Sequence, residues 1–499
     1  MIYIYIILLR KLLMIRLIKS EFQKLLKGKF IRLFILISIL VSIGICYKVY
    51  YGSDNYKNVG YNLTNLEGKQ LSDLEFCKAK DAVMHSYSGE WSQAKQKQII
   101  QDLKNELKKY PRDQIDEKAM TKAYGKNWKY YLEKQKKTGL SQKDIQEITN
   151  EIGQSPEYLT QEDDTIELET IYTNDSKREY LSELYTHNKH IHQSIDNNID
   201  TSHLISSEWN TYLLNPQLKN VWEVDYLAST LTQNEKLTKE ETTSFQKYLM
   251  SEVESLPHQF ESGLPNQFML QALSMVYILP IFVIMIALAN IFAIEREYQM
   301  DQIIYPTQSN RHRITIAKLI TGYLFSIGLI ILQLIIVYLF GSLAFPIHGW
   351  NFLVTSIDFF SVIPIIPTTY LTLLIYAIVL PLFGAIAMAT LSMGLSYVLK
   401  KKFIVIIPLF ILVIVGMFFQ MIYIPSFMKT FFEFCLPINM IQFYNYFLEN
   451  NILGIGSPYI ISEAFVIPMR WIVIGLWGFI TILVISIIYK QSYKQYIRY

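Results

Sequence analysis

Six long runs of apolar residues interrupt an otherwise polar chain. A helix that spans a membrane needs about 20 apolar residues, because the hydrocarbon core is about 30 Å thick and each helical residue rises 1.5 Å. The six predicted spans are Phe30–Tyr47, Phe268–Ile294, Ile314–Phe340, Thr368–Leu399, Phe403–Ile424 and Pro468–Tyr489. The pattern therefore predicts an all-α polytopic membrane protein with six transmembrane helices.

The fourth run is long enough to form one kinked helix or two separate helices. Pro381 and Gly384 mark the place where a bundle would tolerate a kink. Lys and Arg gather in cytoplasmic loops, and here they cluster before the first run, after the second, after the fourth and after the sixth. Six spans place all four clusters on one side, whereas a seventh would move Lys400–Lys402 or the tail outside. We therefore predict six spans in the cell membrane, with the N-terminus, the turn at 400–402 and the tail at 490–499 in the cytoplasm.

The polar block at residues 48–266 lies outside the cell by the same reasoning. Gln93–Lys109 spaces its Ile and Leu residues at helical intervals, and Ser141 precedes a run that begins like an N-capped helix. Thr165–Thr173 alternates between apolar and polar residues, which predicts a short strand. We expect a mainly helical extracellular domain here and two further outer loops, at residues 341–367 and 425–467.

Charge is divided unevenly between this block and the rest of the chain. The whole chain is 51% hydrophobic and 18% charged, with a formal net charge of +3, whereas soluble domains contain about 25% charged residues. Residues 51–264 have a net charge of −10 and the remaining residues +13. An acidic outer domain would repel phosphates, so no nucleic-acid partner is expected. Three cysteines are too few for a disulfide framework.

Residues 1–29 form an amphipathic segment before the first span. On a helical wheel, one arc is apolar and carries Ile15, Ile18, Phe22, Leu25 and Leu26, and the opposite arc carries Arg16, Lys19, Lys24 and Lys27. This pattern is typical of a helix in the inner membrane interface whose basic face meets the bilayer's anionic lipid. The segment is either a general topology anchor or an elbow helix that also helps to seat a cytoplasmic partner. Met14 is an alternative start for this helix.

Residues 295–313 connect the second and third predicted spans and are charged at both ends. Carboxylates are costly inside lipid, so Glu295 marks the cytoplasmic end of a span or a buried polar site. The charges fit a solvated hairpin, or a docking element that transmits a rigid-body push from a soluble motor. The candidate coupling residues are Glu295, Glu297, Asp301, Arg311, Arg313 and Lys318.

This segment resembles the matching segment in the permease subunits of ABC-2-type ATP-binding-cassette exporters. In that family a Glu-x-Glu ends the second helix, and an aliphatic pair, a turn, basic residues and a Lys in the third helix follow. The chain matches at Glu295, Glu297, Ile303, Ile304, Arg311, Arg313, Ile314 and Lys318. It departs at Gln299 and Gln308, where Gly and Pro are usual. Residues 14–36 look like the family's elbow helix, and the layout with a large outer domain is similar to that of Gram-positive bacterial members.

The resemblance implies a transporter subunit that is not itself an enzyme. The chain has no G-x-x-x-x-G-K-[ST] phosphate-binding loop, so ATP and Mg²⁺ would bind a separate ABC ATPase subunit and this chain would hold no cofactor. Six spans are half of a typical exporter, which implies a second copy or a related permease as partner. The implied substrate is a hydrophobic or amphipathic compound such as an antimicrobial peptide, a drug or a lipid-linked molecule.

Residues 425–467 combine aromatic rings with a few carboxylates. The resemblance implies short re-entrant helices here, and the rings suit an interfacial belt, either without substrate contact or with Glu433 at an outer gate. Glu183, His187 and His190 share a helical face, but spacing fixes no fourth ligand, so we predict no metal site. The chain has no recognisable catalytic motif, so no catalytic residue is predicted.

A different class of function fits the same layout. The chain would then be a membrane-anchored envelope scaffold or receptor, whose extracellular domain binds a partner while the spans serve as anchors. Co-purification of an ATPase distinguishes the exporter from this alternative.

Overall fold

The structure is a computed structural model that describes most of the chain in two compact units. The described residues are 2–51, 64–90, 92–111, 114–154, 156, 159–162, 165–185, 238–255, 259–262, 264–297, 311–351, 368–399, 401–418, 434–447 and 459–497. One unit, called here the polar unit, comprises residues 53–87 and 91–210. The other, the membrane unit, comprises residues 1–52, 88–90 and 211–499. Each unit is considered by itself.

Helices account for most of the described residues. They are α1 Ile2–Lys27, α2 Lys29–Tyr51, α3 Asp73–Ser86, α4 Gln93–Lys108, α5 Glu117–Tyr124, α6 Trp128–Thr138, α7 Gln142–Ile152, α8 Asp175–Tyr185, α9 Lys239–Glu254, α10 Leu264–Val276, α11 Ile278–Glu297, α12 Arg311–Ala344, α13 Tyr370–Val398, α14 Lys402–Phe418 and α15 Met469–Ile497. Two short 3₁₀ turns, Asn439–Ile441 and Phe443–Tyr446, lie between α14 and α15 in the chain.

The described residues include three small antiparallel sheets of two strands each, beside the mainly helical structure that was predicted. Their strands are β1 Gly89–Glu90, β2 Leu159–Glu162, β3 Thr165–Leu168, β4 Gln259–Phe260, β5 Tyr459–Ile461 and β6 Val466–Pro468. The pairs are β1 with β4, β2 with β3, and β5 with β6. The strand predicted within Thr165–Thr173 is confirmed as β3, and it forms a hairpin with β2.

Among the described residues of the membrane unit, five helices are long and apolar enough to cross a membrane. They are Lys29–Tyr51, Phe268–Glu295, His312–Ala344, Tyr370–Val398 and Met469–Ser492. The prediction of a mainly α-helical polytopic membrane protein is thereby confirmed, and each of these helices overlaps one predicted span. The fifth predicted run, Phe403–Ile424, contains the shorter apolar helix Lys402–Met417, and its last residues lie outside the described part of the chain.

The second predicted run forms one candidate span, Phe268–Glu295, whose helix is interrupted at the single residue Tyr277. Helix α10 ends at Val276 and α11 begins at Ile278. Pro280 explains the break, because its ring nitrogen cannot donate to the carbonyl of Val276 and its ring crowds that carbonyl. The fourth run, in contrast, is one continuous helix, α13, although it contains Pro381.

Small residues lie where the central helices of the membrane unit meet. Helix α11 packs against α13, and α12 packs against α13, α15 and α1. The alanines Ala287, Ala289 and Ala293 of α11 are buried, as are Ala385, Ala387 and Ala389 of α13. Small side chains allow helix backbones to approach closely inside a membrane, where close packing replaces the hydrophobic effect between helices.

The polar unit has its own hydrophobic core between α5, α6, α7 and the β2–β3 hairpin. The core residues are Met120, Tyr124, Trp128, Tyr131, Leu140, Ile148 and Leu168. The helix start predicted at Ser141 is confirmed: the Ser141 hydroxyl accepts from the Asp144 amide, and the Asp144 carboxylate accepts from the Ser141 amide. This reciprocal cap fixes the first turn of α7 against the core.

Candidate functional site

A buried ion pair joins the second and third predicted spans at one end of the membrane unit. The ammonium of Lys318 lies 2.7 Å from the carboxylate of Glu295, and their side chains are 2% and 12% exposed. The same ammonium donates to the carbonyl oxygen of Ile291 at 2.9 Å and lies 5.3 Å from the ring centroid of Phe292. A charge this deeply buried needs a partner of opposite sign, and Glu295 supplies it.

Local helix geometry explains why the two residues meet. Glu295 lies in the last turn of α11, and Lys318 lies two turns into α12, counted from Arg311. The last turns of a helix carry a partial negative charge, which favours a cation such as Lys318 beside the carbonyl of Ile291. The pair therefore fastens the end of α11 to the side of α12.

The N-terminal helix α1 reaches the same place. Glu21, which is buried, forms an ion pair with Lys24 at 2.6 Å and interacts electrostatically with Lys318. The hydroxyl of Thr321, one turn beyond Lys318, donates to the carbonyl of Ile18 at 3.4 Å. We call Lys318, Glu295, Glu21 and Lys24 the Lys318 cluster. It contains two cations and two anions from three helices.

The amphipathic pattern of α1 is observed, with one difference. Arg16, Lys19, Lys24 and Lys27 are exposed, and the Phe22 ring packs edge-to-face on Phe325 with centroids 6.4 Å apart. Leu25 is buried as expected, but Ile15 is 64% exposed. Sequence reasoning missed Glu21. The signal available was that Glu21 is the only acidic residue among the first 50.

A serine of α13 enters the hydrogen-bond ladder of α11 close to the cluster. The hydroxyl of Ser396 donates to the carbonyl of Ala289 at 2.8 Å and accepts from the amides of Phe292 and Ala293 at 3.1 and 3.0 Å. In an α-helix the amide of Ala293 would donate to Ala289 itself. The Ser396 hydroxyl therefore bridges this step of the ladder and joins α13 to the segment that supports Lys318.

A chain of hydroxyl groups connects further helices at this end. The Tyr397 hydroxyl lies 3.2 Å from that of Ser492, which donates to the Thr315 hydroxyl at 3.2 Å. The Tyr397 ring packs edge-to-face on Phe292 with centroids 5.5 Å apart. Polar contacts near Lys318 therefore join four helices, α11, α12, α13 and α15. Displacement of one of these helices would strain its contacts with the others.

Comparison with known proteins does not assign the chain to a family. No family model, curated protein or solved structure matches the chain. What the chain does is therefore argued from the Lys318 cluster and from the sequence pattern.

The remaining predicted site residues divide into described and undescribed positions. Glu297 is exposed at the end of α11, and Arg313 is half-buried in the first turn of α12, which begins at Arg311. Asp301 and Glu433 lie outside the described residues, as do Ile303, Ile304, Gln299, Gln308, His187 and His190. Within the described part of the chain, no three His, Cys, Asp or Glu residues are grouped so that they could hold a metal ion.

The opposite end of the membrane unit contains an arginine that sequence reasoning also missed. Arg470 lies in the first turn of α15 and is 6% exposed. Its guanidinium carbon lies 5.1 and 5.3 Å from the ring centroids of Phe447 and Tyr376. The signal that could have identified Arg470 is a basic residue inside an apolar run, at the end where the positive-inside rule predicts few.

Proposed function

We propose that the chain is the membrane subunit of an ABC-2-like exporter, in which a separate ATPase subunit drives movement of a hydrophobic or amphipathic compound. The Lys318 cluster carries this proposal. It ties an amphipathic N-terminal helix and the end of α11 to α12 at a single buried point. A soluble partner that pushes on the exposed ends of these elements would displace the packed helices together.

In this proposal the chain has six spans with both termini in the cytoplasm of a cell-membrane protein. Helix α14 belongs to the fifth span, and the polar unit belongs to an extracellular domain. The basic clusters, all of which fall on one side in this topology, support it. A second permease copy or a related permease completes the transporter, and ATP and Mg²⁺ bind the ATPase subunit alone.

Within this proposal the coupling candidates take different roles. Glu295 and Lys318 are buried against each other, so they act by holding α11 to α12. Glu297 is exposed and Arg313 is half-buried, so these two are the described residues able to contact the ATPase directly. The exposed basic face of α1 meets anionic lipid and the same partner.

Affinity purification of the full chain from its own membrane tests the proposal. An ATPase with a phosphate-binding loop should co-purify, and the charge reversals Glu297→Lys and Arg313→Glu should together abolish its recovery. Lys137→Glu, an exposed change in the polar unit, serves as the matched control and should leave recovery unchanged. If no ATPase is recovered from the wild type, the exporter proposal fails and the scaffold or receptor function replaces it.

A further inference from the structure

Arg470 is a buried cation for which the described residues supply no counter-charge. No ion pair joins its guanidinium to a carboxylate of the described chain, and its Nε and Nη1 atoms are buried there without a hydrogen-bond partner. An unpaired arginine at a membrane span is costly, and such residues commonly mark a binding function. The unsatisfied N–H groups therefore call for an acceptor from elsewhere.

Aromatic rings form the walls around this guanidinium. Besides the Phe447 ring, the phenols of Tyr376, Tyr248 and Tyr459 surround Arg470 and interact with its guanidinium electrostatically and by hydrogen bonding. Tyr248 and Tyr459 lie 5.6 Å apart between ring centroids. We call Arg470 and these four aromatic residues the Arg470 site. Aromatic faces attract a guanidinium by cation–π interaction without using the N–H groups in its plane, and Nε and Nη1 have no hydrogen-bond partner among the described residues.

The neighbouring phenols do not neutralise the arginine. Burial raises the pKa of Tyr248 to about 12 and raises the pKa of Tyr459 well above its usual value, so both are uncharged at neutral pH. Glu252 of α9 interacts electrostatically with both tyrosines but forms no ion pair with Arg470 among the described residues. The site therefore has a net positive charge, with uncharged phenol hydroxyls beside it.

The surface around the site is apolar. Trp471, the next residue along α15, is 55% exposed, and Ile460 and Ile467 of the β5–β6 hairpin are exposed as well. The Tyr376 ring packs edge-to-face on Trp471, with centroids 5.8 Å apart. Because α15 begins its apolar stretch at Met469, this surface lies where the hydrocarbon of a bilayer gives way to headgroups.

We propose that the Arg470 site binds the phosphate of a membrane phospholipid. The planar guanidinium matches a phosphate in geometry and charge, and headgroup phosphates are concentrated at this depth of a bilayer. In this proposal the acyl chains lie on the exposed side chains of Trp471 and Ile467. The apolar rim disfavours a soluble anion, which would have to cross it.

Lipid binding to the full chain in a phosphate-free detergent tests this inference. Native mass spectrometry would count the phosphatidylglycerol molecules retained by the wild type, Arg470→Gln and the matched control Lys401→Gln, whose exposed lysine immediately precedes α14. We expect the wild type and the control to retain one lipid that Arg470→Gln loses, with affinity lowered about tenfold or more. Diacylglycerol with the same acyl chains, which lacks the phosphate, should bind the wild type as weakly as phosphatidylglycerol binds Arg470→Gln.

Either of two results with the wild type and Arg470→Gln would overturn the inference. One is retention of the same lipid count by Arg470→Gln. The other is displacement of phosphatidylglycerol by millimolar inorganic phosphate, which would identify a site for a soluble anion. If Arg470→Gln does not fold, Trp471→Glu replaces it, because this exposed change places a carboxylate at the rim and should repel the phosphate. Unchanged lipid retention by a folded Trp471→Glu variant would also contradict the proposal.

Discussion

The hydroxyl of Ser396 bonds to the carbonyl of Ala289 at 2.8 Å, on a helix about 100 residues earlier in the chain. It simultaneously accepts two amide hydrogens of α11, so three backbone groups depend on one side chain. Buried backbone groups that lose their partners are costly, at about 1–3 kcal/mol. The Ser396 hydroxyl therefore holds α11 to α13 through specific hydrogen bonds, and a variant that lacks this hydroxyl tests its contribution to stability.

Ser396→Ala should lower the apparent melting temperature of the purified full chain, because it leaves these backbone groups unpaired. Ser392→Ala is the matched control: Ser392 is buried on the same helix, and its hydroxyl has no partner among the described residues. The control should have little effect. Equal losses in the two variants, measured by thermal unfolding in detergent, would contradict the role assigned to Ser396.

The Lys318–Glu295 pair should show strong non-additivity. Lys318→Met leaves the Glu295 carboxylate buried without its cation, which costs about 3–5 kcal/mol, whereas replacing both charges with apolar residues is commonly close to neutral. We therefore expect Lys318→Met to be poorly stable and Lys318→Met/Glu295→Leu to recover most of the loss. The measurement is the monodisperse fraction that survives a heating series. A double variant as unstable as the single one would show that the pair is not the relevant contact.

Gly384 should not tolerate a side chain. A Cβ atom added there would lie 2.8 Å from the carbonyl oxygen of Pro437 and 3.2 Å from the Cβ of Met440. The segment around Pro437 is held in place, because the Trp477 indole donates to the carbonyl of Cys435 at 2.8 Å. Gly384→Ala should therefore destabilise the chain by about 1–3 kcal/mol.

Gly328→Ala is the control for this change, since nothing lies within 4 Å of a Cβ at Gly328. Alanine is favoured over glycine inside a helix by about 1 kcal/mol, so this variant should be neutral or slightly more stable. Thermal unfolding in the same detergent compares the two. A Gly384→Ala variant as stable as the wild type would mean that the 434–447 segment moves aside.

Acid should loosen helix α7 of the polar unit through Asp144. The Lys134 ammonium, 2.6 Å away, and the Ser141 cap together lower the pKa of Asp144 to about 2. Because the pKa in the folded state is below the unfolded value of about 3.9, this stabilisation is complete above about pH 4 and is lost as the pH falls toward 2. Hydrogen exchange across Gln142–Ile152, corrected for intrinsic rates, should report that loss.

Asp144→Asn provides the comparison. It should weaken protection of α7 already at neutral pH and remove the extra pH dependence between about 4 and 2. If the wild type and Asp144→Asn lost protection in parallel through this window, another group would control the acid sensitivity.

Labelling of single introduced cysteines can test the proposed topology. The native cysteines Cys46, Cys77 and Cys435 are all buried, so they should react little with the reagent. A membrane-impermeant maleimide should label Lys137→Cys in intact cells, because the proposed topology places the polar unit outside. Lys401→Cys, which is also exposed, should react only after permeabilisation. The reverse pattern would invert the orientation and remove the basis for a cytoplasmic ATPase at Glu297.

Sequence reasoning found those features that depend on one segment at a time. Apolar length alone identifies the helices of the membrane unit, the cost of charge in lipid singles out Glu295, and the family resemblance singles out Lys318. That these two pair with each other depends on how α11 packs on α12, which no local pattern encodes. The Ser396 contact could not be predicted for the same reason. The helix break before Pro280 was not predicted, because the apolar run continues past this proline.

The charges of the Lys318 cluster sum to zero, whereas Arg470 has no counter-charge among the described residues. Moving one elementary charge through a membrane potential involves about 2.3 kcal/mol per 100 mV. A displacement of the Lys318 cluster as a unit therefore does no net electrical work, and that step is insensitive to voltage. Movement of Arg470 alone along the field would involve electrical work on its full positive charge. A bound phosphate would neutralise that charge and remove this work.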